Sequence, residues 1–398
     1  MTRERADIKL RQQKGEQACE ILAELDLDCW LVWVRETMQM ADPAMNVLLG
    51  TDVIGQTVLL FTRDGERIAI AQHHGALGLP SELFDRIVPY TKGCGESLRR
   101  ELARLDPRHI AVNFSRENEV ADGLSHGMYF LLLDYLRETP YGDRLVSAEE
   151  LIEKLRGRKL PEKVDRIREA IEITERIFDD LSDYLKPGQT EREIAVFVNA
   201  RMKDHSVVSA WDPKYCPAVD AGPDKEFGHA GPTDNRTRPG HLLHFDFGVR
   251  ARGYCSDLQR MVFFGSPESV PEEVRDAFNT IREAIVAAAS FIRPGRLGYE
   301  VDAVARNIVL QNGYEEFQHG LGHQIGQFAH DGGTRLAPLW ELFGERPKGV
   351  IEEGSAFTIE LNVRTNKHGQ VSLEEDVLIT ANGCLFLSHP QEKLICIG

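Results

Sequence analysis

The sequence predicts an α/β protein in two parts: an N-terminal α/β domain over residues 1–157 and a duplicated helix-and-sheet domain over residues 158–398. Three observations carry this. Apolar runs of strand length alternate with amphipathic helical stretches through the first part. A charged segment from Glu153 to Pro161 then interrupts the pattern. After it, one arrangement occurs twice: a long helix opening on proline, a Pro-Gly break, a shorter helix, and strand-like segments. The first copy has helices over 161–185 and 191–203, with Lys186-Pro187-Gly188 between them. The second has helices over 271–292 and 299–311, separated by Arg293-Pro294-Gly295. Proline suits the first turn of a helix, and Pro-Gly ends one. Two such units related by duplication would bury a curved sheet between two helical layers. Residues from both halves would meet in a cleft at its centre.

In the first part, Lys9 to Leu25 reads as an amphipathic helix and Asp28 to Val34 as a buried strand. Strands over 57–63 and 66–71 flank Asp64-Gly65, a strong hairpin signal. Ile110 to Phe114 makes another short strand, and Ser125 to Arg137 a packed helix. No catalytic residue types cluster here. His73 and His74 are a formal ligand pair, but neighbours on a strand point to opposite faces, which argues against joint binding of a metal.

Composition excludes several function classes. The chain has 398 residues, 42% hydrophobic and 28% charged, as an ordinary globular protein has. Its net charge of −16, with no basic run, argues against nucleic acid or an anionic membrane as main partner. No stretch reaches the ~18 apolar residues of a membrane span. The start, Met1-Thr2-Arg3-Glu4-Arg5, lacks the apolar core of a signal peptide. Seven cysteines without CxxC spacing fit reduced thiols in a cytoplasm, and Cys255 reads as a small buried filler.

The chemistry is concentrated in the second part. Leu242 to Val249 and Met261 to Phe264 read as two strands around Arg250-Ala251-Arg252-Gly253. With the turn centred between Ala251 and Arg252, Asp246 and Asp257 become direct cross-strand neighbours on one face. Like charges so placed destabilise a sheet unless a cation neutralises them. A second hairpin, with strands over 355–363 and 371–380, puts Glu360 opposite Glu374 if its turn centres on Lys367. Glu375 becomes the partner if the turn centres half a residue later. A carboxylate inside Phe357-Thr358-Ile359-Glu360-Leu361 would cost several kcal/mol to bury without a partner. Between the hairpins lies the glycine-rich His319-Gly320-Leu321-Gly322-His323, with His330 further on. Four carboxylates and one imidazole suit two divalent ions of intermediate hardness, such as Mn²⁺, Co²⁺, Fe²⁺ or Zn²⁺. A water shared between two such ions is deprotonated near neutral pH, and amide hydrolysis is its natural use.

The order Asp-x10-Asp, a histidine in a glycine-rich loop, then two glutamates on late strands resembles the pita-bread metallopeptidases, which include methionine aminopeptidase, Xaa-Pro aminopeptidase, prolidase and the creatinase relatives. His319 to His323, His330 and Leu373 to Thr380 look most like Xaa-Pro aminopeptidase and prolidase. An N-terminal creatinase-like α/β domain fits the same branch. The resemblance implies that Asp246 holds one metal, that His323 and Glu360 hold the other, and that Asp257 and Glu374 bridge. It places His229, His319 and His330 on the substrate side. His229 would lie near the scissile bond, His330 near the tetrahedral intermediate, and Glu360 would shuttle the proton to the leaving amine. It further implies short peptide substrates, or a small amide for a creatinase-like relative, and a homodimer. The chain departs from the proline-specific pattern at Ser372, where arginine is usual, and at Leu361, where proline is usual. The metal set is retained, and proline specificity is left open. The long stretch from His323 to Glu360 carries Trp340 and Phe343, which either reshape the pocket or pack a surface helix.

Overall fold

The computed structural model describes residues 3–225, 227–228 and 230–398. His229 lies outside the described residues. The chain divides into two compact units, Met1–Arg156 and Gly157–Gly398.

The first unit is built on a mixed sheet in the order β4-β3-β2-β1-β5-β6. Its strands are β1 (Cys29–Arg35), β2 (Gln56–Thr62), β3 (Arg67–Gln72), β4 (Arg86–Tyr90), β5 (Ile110–Val112) and β6 (Leu145–Ser147). β1 reads as a continuous apolar run because both its faces are covered. Trp30, Val32 and Val34 enter one core cluster, and Cys29, Leu31 and Trp33 the other. Helices α1 (Arg3–Glu24), α2 (Pro43–Leu48), α3 (His73–Ala76), α4 (Gly95–Leu105), α5 (His126–Leu136) and α6 (Glu149–Gly157) complete the unit. His73 and His74 open the short helix α3 instead of continuing a strand, and both are exposed.

The second unit contains the duplication. Its helix pairs are α7 (Pro161–Tyr184) with α8 (Glu191–Asp204), and α9 (Glu272–Phe291) with α10 (Gly298–Gln311). Proline occupies the first turn of α7, and Thr190 with Glu193 forms a capping box on α8. The strands are β7 (Val208–Ser209), β8 (Ala218–Ala221), β9 (Leu242–Phe247), β10 (Val249–Ala251), β11 (Tyr254–Cys255), β12 (Leu258–Phe264), β13 (Ala356–Arg364), β14 (Gln370–Thr380), β15 (Gly383–Phe386) and β16 (Ile395–Ile397). They form sheets in the orders β16-β12-β9-β8, β13-β14-β15 and β11-β10-β7.

Period-two alternation decides which side chains reach the interior. On β9, Leu243, Phe245 and Phe247 pack into one core cluster with Ile171, Phe178 and Val198 of α7 and α8. On β13, Ile359, Leu361 and Val363 pack into another with Val274, Ile281 and Val301 of α9 and α10. Burying each such side chain contributes roughly 1.5–3 kcal/mol. The intervening polar residues are thereby turned to the opposite faces: His244 and Asp246 on β9, Thr358, Glu360 and Asn362 on β13. No helix among the described residues is long and apolar enough to cross a membrane.

Candidate metal centre

Each hairpin aims its carboxylates through its own turn. The second behaves as its sequence suggests. Glu360 pairs with Glu374, and Arg364 with Gln370 closes the ladder. Glu375, the rival, pairs with Ile359 and points elsewhere. Its carboxylate takes both guanidinium nitrogens of Arg260 at 3.1 and 3.0 Å, the Ser388 hydroxyl at 2.6 Å and the Gln391 N–H at 2.9 Å.

The first hairpin corrects the expected register. Arg250 pairs with Cys255 and Ala251 with Tyr254, so the turn centres one residue later, on Arg252-Gly253. Both residues have positive φ, 47° and 83°, as a two-residue primed turn requires. Asp246 therefore faces Gln259, not Asp257. The chain also breaks at Ser256-Asp257, where Ser256 N–H returns to Val249 O at 3.1 Å. Because the register error is even, the face is unchanged. Asp257 becomes a diagonal neighbour of Asp246, and their charges still interact. The Asp257 N–H donates to Asp376 Oδ2 at 3.1 Å, which anchors it to β14.

The glycine-rich loop delivers the histidine. Residues 321–325 run beside β13, with Glu360 N–H to Leu321 O at 2.7 Å, Thr358 N–H to His323 O at 2.9 Å and Ile325 N–H to Ala356 O at 3.0 Å. This close approach explains Gly322, because a Cβ there would meet Thr358 O at 2.1 Å. A Gly322→Ala variant should lose roughly 1–3 kcal/mol to overpacking and displace His323. Denaturant unfolding with metal titration on the same sample checks both effects.

Three groups converge most tightly. One ligand atom each from Asp257, His323 and Glu374 lies within 4.8 Å of the others, and all three residues are buried. His323 Nε2 is 3.6 Å from Glu360 Oε1 and 3.9 Å from Asp257 Oδ2. Its Nδ1 is turned to Gln324 O at 3.4 Å, so Nε2 faces the acids. The His330 ring lies 4.1 Å from the His323 ring and is exposed. Of the residues expected on the substrate side, His319 is held at both ring nitrogens. Nδ1 lies 2.7 Å from Gly320 O, and Nε2 accepts from Asn362 Nδ2 at 2.8 Å. That leaves its ring face, not a nitrogen, for a ligand. Trp340 and Phe343 stack on each other at 5.9 Å, and Arg306 lies over Trp340.

The electrostatics match a cation site. Burial first, then the neighbouring carboxylates, push Asp257 and Glu374 well above the usual carboxylate range. Burial pushes Glu360 up to about 7, against the opposing pull of Arg335, Gln259 and His244. Burial, with His330 and Arg335, holds His323 far below the usual histidine value. A set of buried oxygens and an unprotonated imidazole that repel one another is what a divalent ion corrects. These residues fit two such ions. Asp376, also buried and raised first by burial, adds a carboxylate that the sequence pattern does not single out. The one available signal was a run of three acids, Glu374-Glu375-Asp376, inside an apolar strand.

The raised values give a signed prediction for the metal-free protein. A carboxylate whose folded pKa exceeds its unfolded value contributes stability at low pH that is lost as pH rises through the folded pKa. For Glu360 that window runs from about 4.5 to about 7. Thermal unfolding should therefore show the metal-free chain more stable at pH 5 than at pH 8, with the increment from added metal growing over the same interval.

The wider comparisons agree with this geometry. The model of Metallopeptidase family M24 matches residues 165–381, more than half of the chain. The chain belongs to this family. It is a metal-dependent peptidase with the pita-bread fold. Among curated relatives, an Xaa-Pro dipeptidase of Pyrococcus furiosus is 27% identical over 307 residues, 75% of this chain and 84% of that protein. An uncharacterized peptidase of Bacillus subtilis is 28% identical over 254 residues, 64% of this chain and 68% of its own length. Among solved structures, an Xaa-Pro dipeptidase from Bacillus anthracis superposes with a TM-score of 0.75 at 21% identity, covering 97% of this chain and all of that one. An X-Pro aminopeptidase from Thermotoga maritima gives 0.72 at 22% identity, covering 96% and 99%.

Proposed function

We propose that this peptidase removes a residue from short peptides at an X-Pro bond, using two divalent ions, Mn²⁺ foremost. The observation that carries it is the convergence of Asp257, His323 and Glu374 within 4.8 Å, with Glu360 beside His323. Asp246 would hold one ion, His323 and Glu360 the other, and Asp257 and Glu374 would bridge. Bound ions would supply a nucleophilic water at neutral pH. Glu360, whose affinity for a proton is raised to about pH 7, is suited to take the proton from that water and pass it to the leaving amine. His330, exposed beside His323, is suited to hydrogen-bond the developing oxyanion. His229 takes the position near the scissile bond by the resemblance alone. His319 would present its ring face to the pocket while its nitrogens hold Asn362.

Residues 1–157 are proposed as the creatinase-like domain of this branch and 158–398 as the catalytic one. A cytoplasmic setting is supported by the seven cysteines, all free thiols. A homodimer rests on the family resemblance, and light scattering tests it. One observation favours a second reading. Ser372 presents no cation to a substrate carboxylate, and its hydroxyl is turned inward, to Gln259 Oε1 and within 3.1 Å of Leu361 O. A small non-peptide amide lacks that carboxylate. Turnover of X-Pro dipeptides, longer X-Pro peptides and small amides by the Mn²⁺-loaded protein separates these readings. Preferential cleavage of a small amide would sink the peptide assignment.

A further inference from the structure

A buried polar chain runs from the interior of the sheet to Glu360. Lys225 Nζ contacts Asp220 Oδ1 at 2.8 Å, and Asp220 Oδ2 lies 3.0 Å from His244 Nδ1. His244 Nε2 lies 3.0 Å from Gln259 Oε1, and Gln259 Nε2 donates to Glu360 Oε2 at 2.9 Å. The strand registers build it. Asp220 faces His244 across β8 and β9, and Asp246 faces Gln259 across β9 and β12. All therefore share the face that also carries Asp246 and Asp257. Phe227 stacks flat on the His244 ring at 3.9 Å, which fixes its plane.

The amide has one satisfactory orientation. An ionised carboxylate only accepts, so against it Gln259 turns its nitrogen to Glu360 and its oxygen inward. That oxygen receives the Ser372 hydroxyl and faces the His244 Nε2. Gln259, Asp220, His244 and Ser372 are all buried, so a broken link leaves polar atoms unsatisfied. One Glu360 oxygen is thus pinned by Gln259, and the other is left 3.6 Å from His323. We propose that Gln259 is a positioning residue: braced by His244 and Ser372, it aims the free oxygen of Glu360 into the metal centre. This rests on the metallopeptidase reading of that centre and adds to it the groups that orient one of its carboxylates.

The test is Mn²⁺ titration of metal-free protein by calorimetry, with thermal unfolding of the same samples. Gln259→Met keeps the volume and removes the side-chain contacts to Glu360, Ser372 and His244. It should weaken the Glu360-dependent binding step by ~10–100-fold, as loss of a residue supporting a metal ligand does, while the metal-free melting temperature stays within a few degrees. Ser372→Ala, a smaller change that cannot unfold the strand, should weaken the same step in the same direction. His244→Phe, which retains the stack on Phe227, should weaken it in wild type and add little once Gln259 is Met. At saturating Mn²⁺, kcat should fall more than KM rises in Gln259→Met. Wild-type affinity in either Gln259→Met or Ser372→Ala overturns the proposal, as does full additivity with His244→Phe. Failure of the wild-type protein to take up Mn²⁺ overturns the metal reading itself, a separate result.

Discussion

Glu374→Ala should abolish peptidase activity and stabilise the metal-free protein, an opposed pair of effects that an ordinary structural residue does not give. The first follows from geometry. Glu374 shares the tightest ligand cluster with Asp257 and His323. If it bridges two ions, its removal unsites both, and a loss of at least ~10³ in kcat/KM, about 4 kcal/mol of barrier, is the expected scale. The second follows from repulsion. Burial and then Asp257, Glu360, Asp246 and Asp376 raise its pKa, so its ionised form is opposed by everything around it. Removing it relieves that opposition at pH 8, where the metal-free fold suffers most. Sites built for a ligand carry such cost in its absence. Glu375→Ala should do the reverse. It strands Arg260, which is buried, and breaking such a pair costs roughly 3–5 kcal/mol. Stability should fall while metal uptake per folded chain persists. Unfolding curves and elemental analysis on both variants decide it. Metal loss in Glu375→Ala with retention in Glu374→Ala would transfer the ligand role to the neighbouring residue.

The two hairpins show where sequence reasoning reaches and where it stops. For β13 and β14, a loop of polar residues between long apolar strands left few registers, and the one centred on Lys367 is observed. For β9 to β12, the turn depends on Arg252 accepting φ of 47°, which composition does not announce. The expected pairing of Asp246 with Asp257 fails for that reason. The two carboxylates still share a face because an even slip keeps side chains on their face, whereas a one-residue slip would have turned Asp257 into the core. The duplicated helix pairs were legible because proline and Pro-Gly mark their ends chemically. The supports of the site were not. Gln259 and His244 acquire meaning only when β12 is set against β9 and β14, a juxtaposition no local pattern encodes. His319 shows the same limit: the resemblance implied a substrate contact, and the fold adds that its nitrogens meet the neighbouring Gly320 carbonyl and the Asn362 amide.

His330→Ala should lower kcat by ~10²–10³-fold, roughly 2–4 kcal/mol, with little change in metal content. Its ring lies 4.1 Å from that of His323, yet it is exposed where His323 is buried. Proximity puts it at the edge of the metal centre, and exposure lets a substrate reach it. A donor that strengthens its hydrogen bond as charge develops lowers the barrier without tightening substrate binding, so KM should move little. Metal titration of the variant is therefore run beside the kinetics. His229→Ala, placed near the scissile bond by resemblance, should show a kcat loss of the same order. Steady-state kinetics and metal analysis on one preparation separate the roles. Near-normal kcat in His330→Ala, or activity loss matched by metal loss, would refute an oxyanion donor and leave a structural histidine.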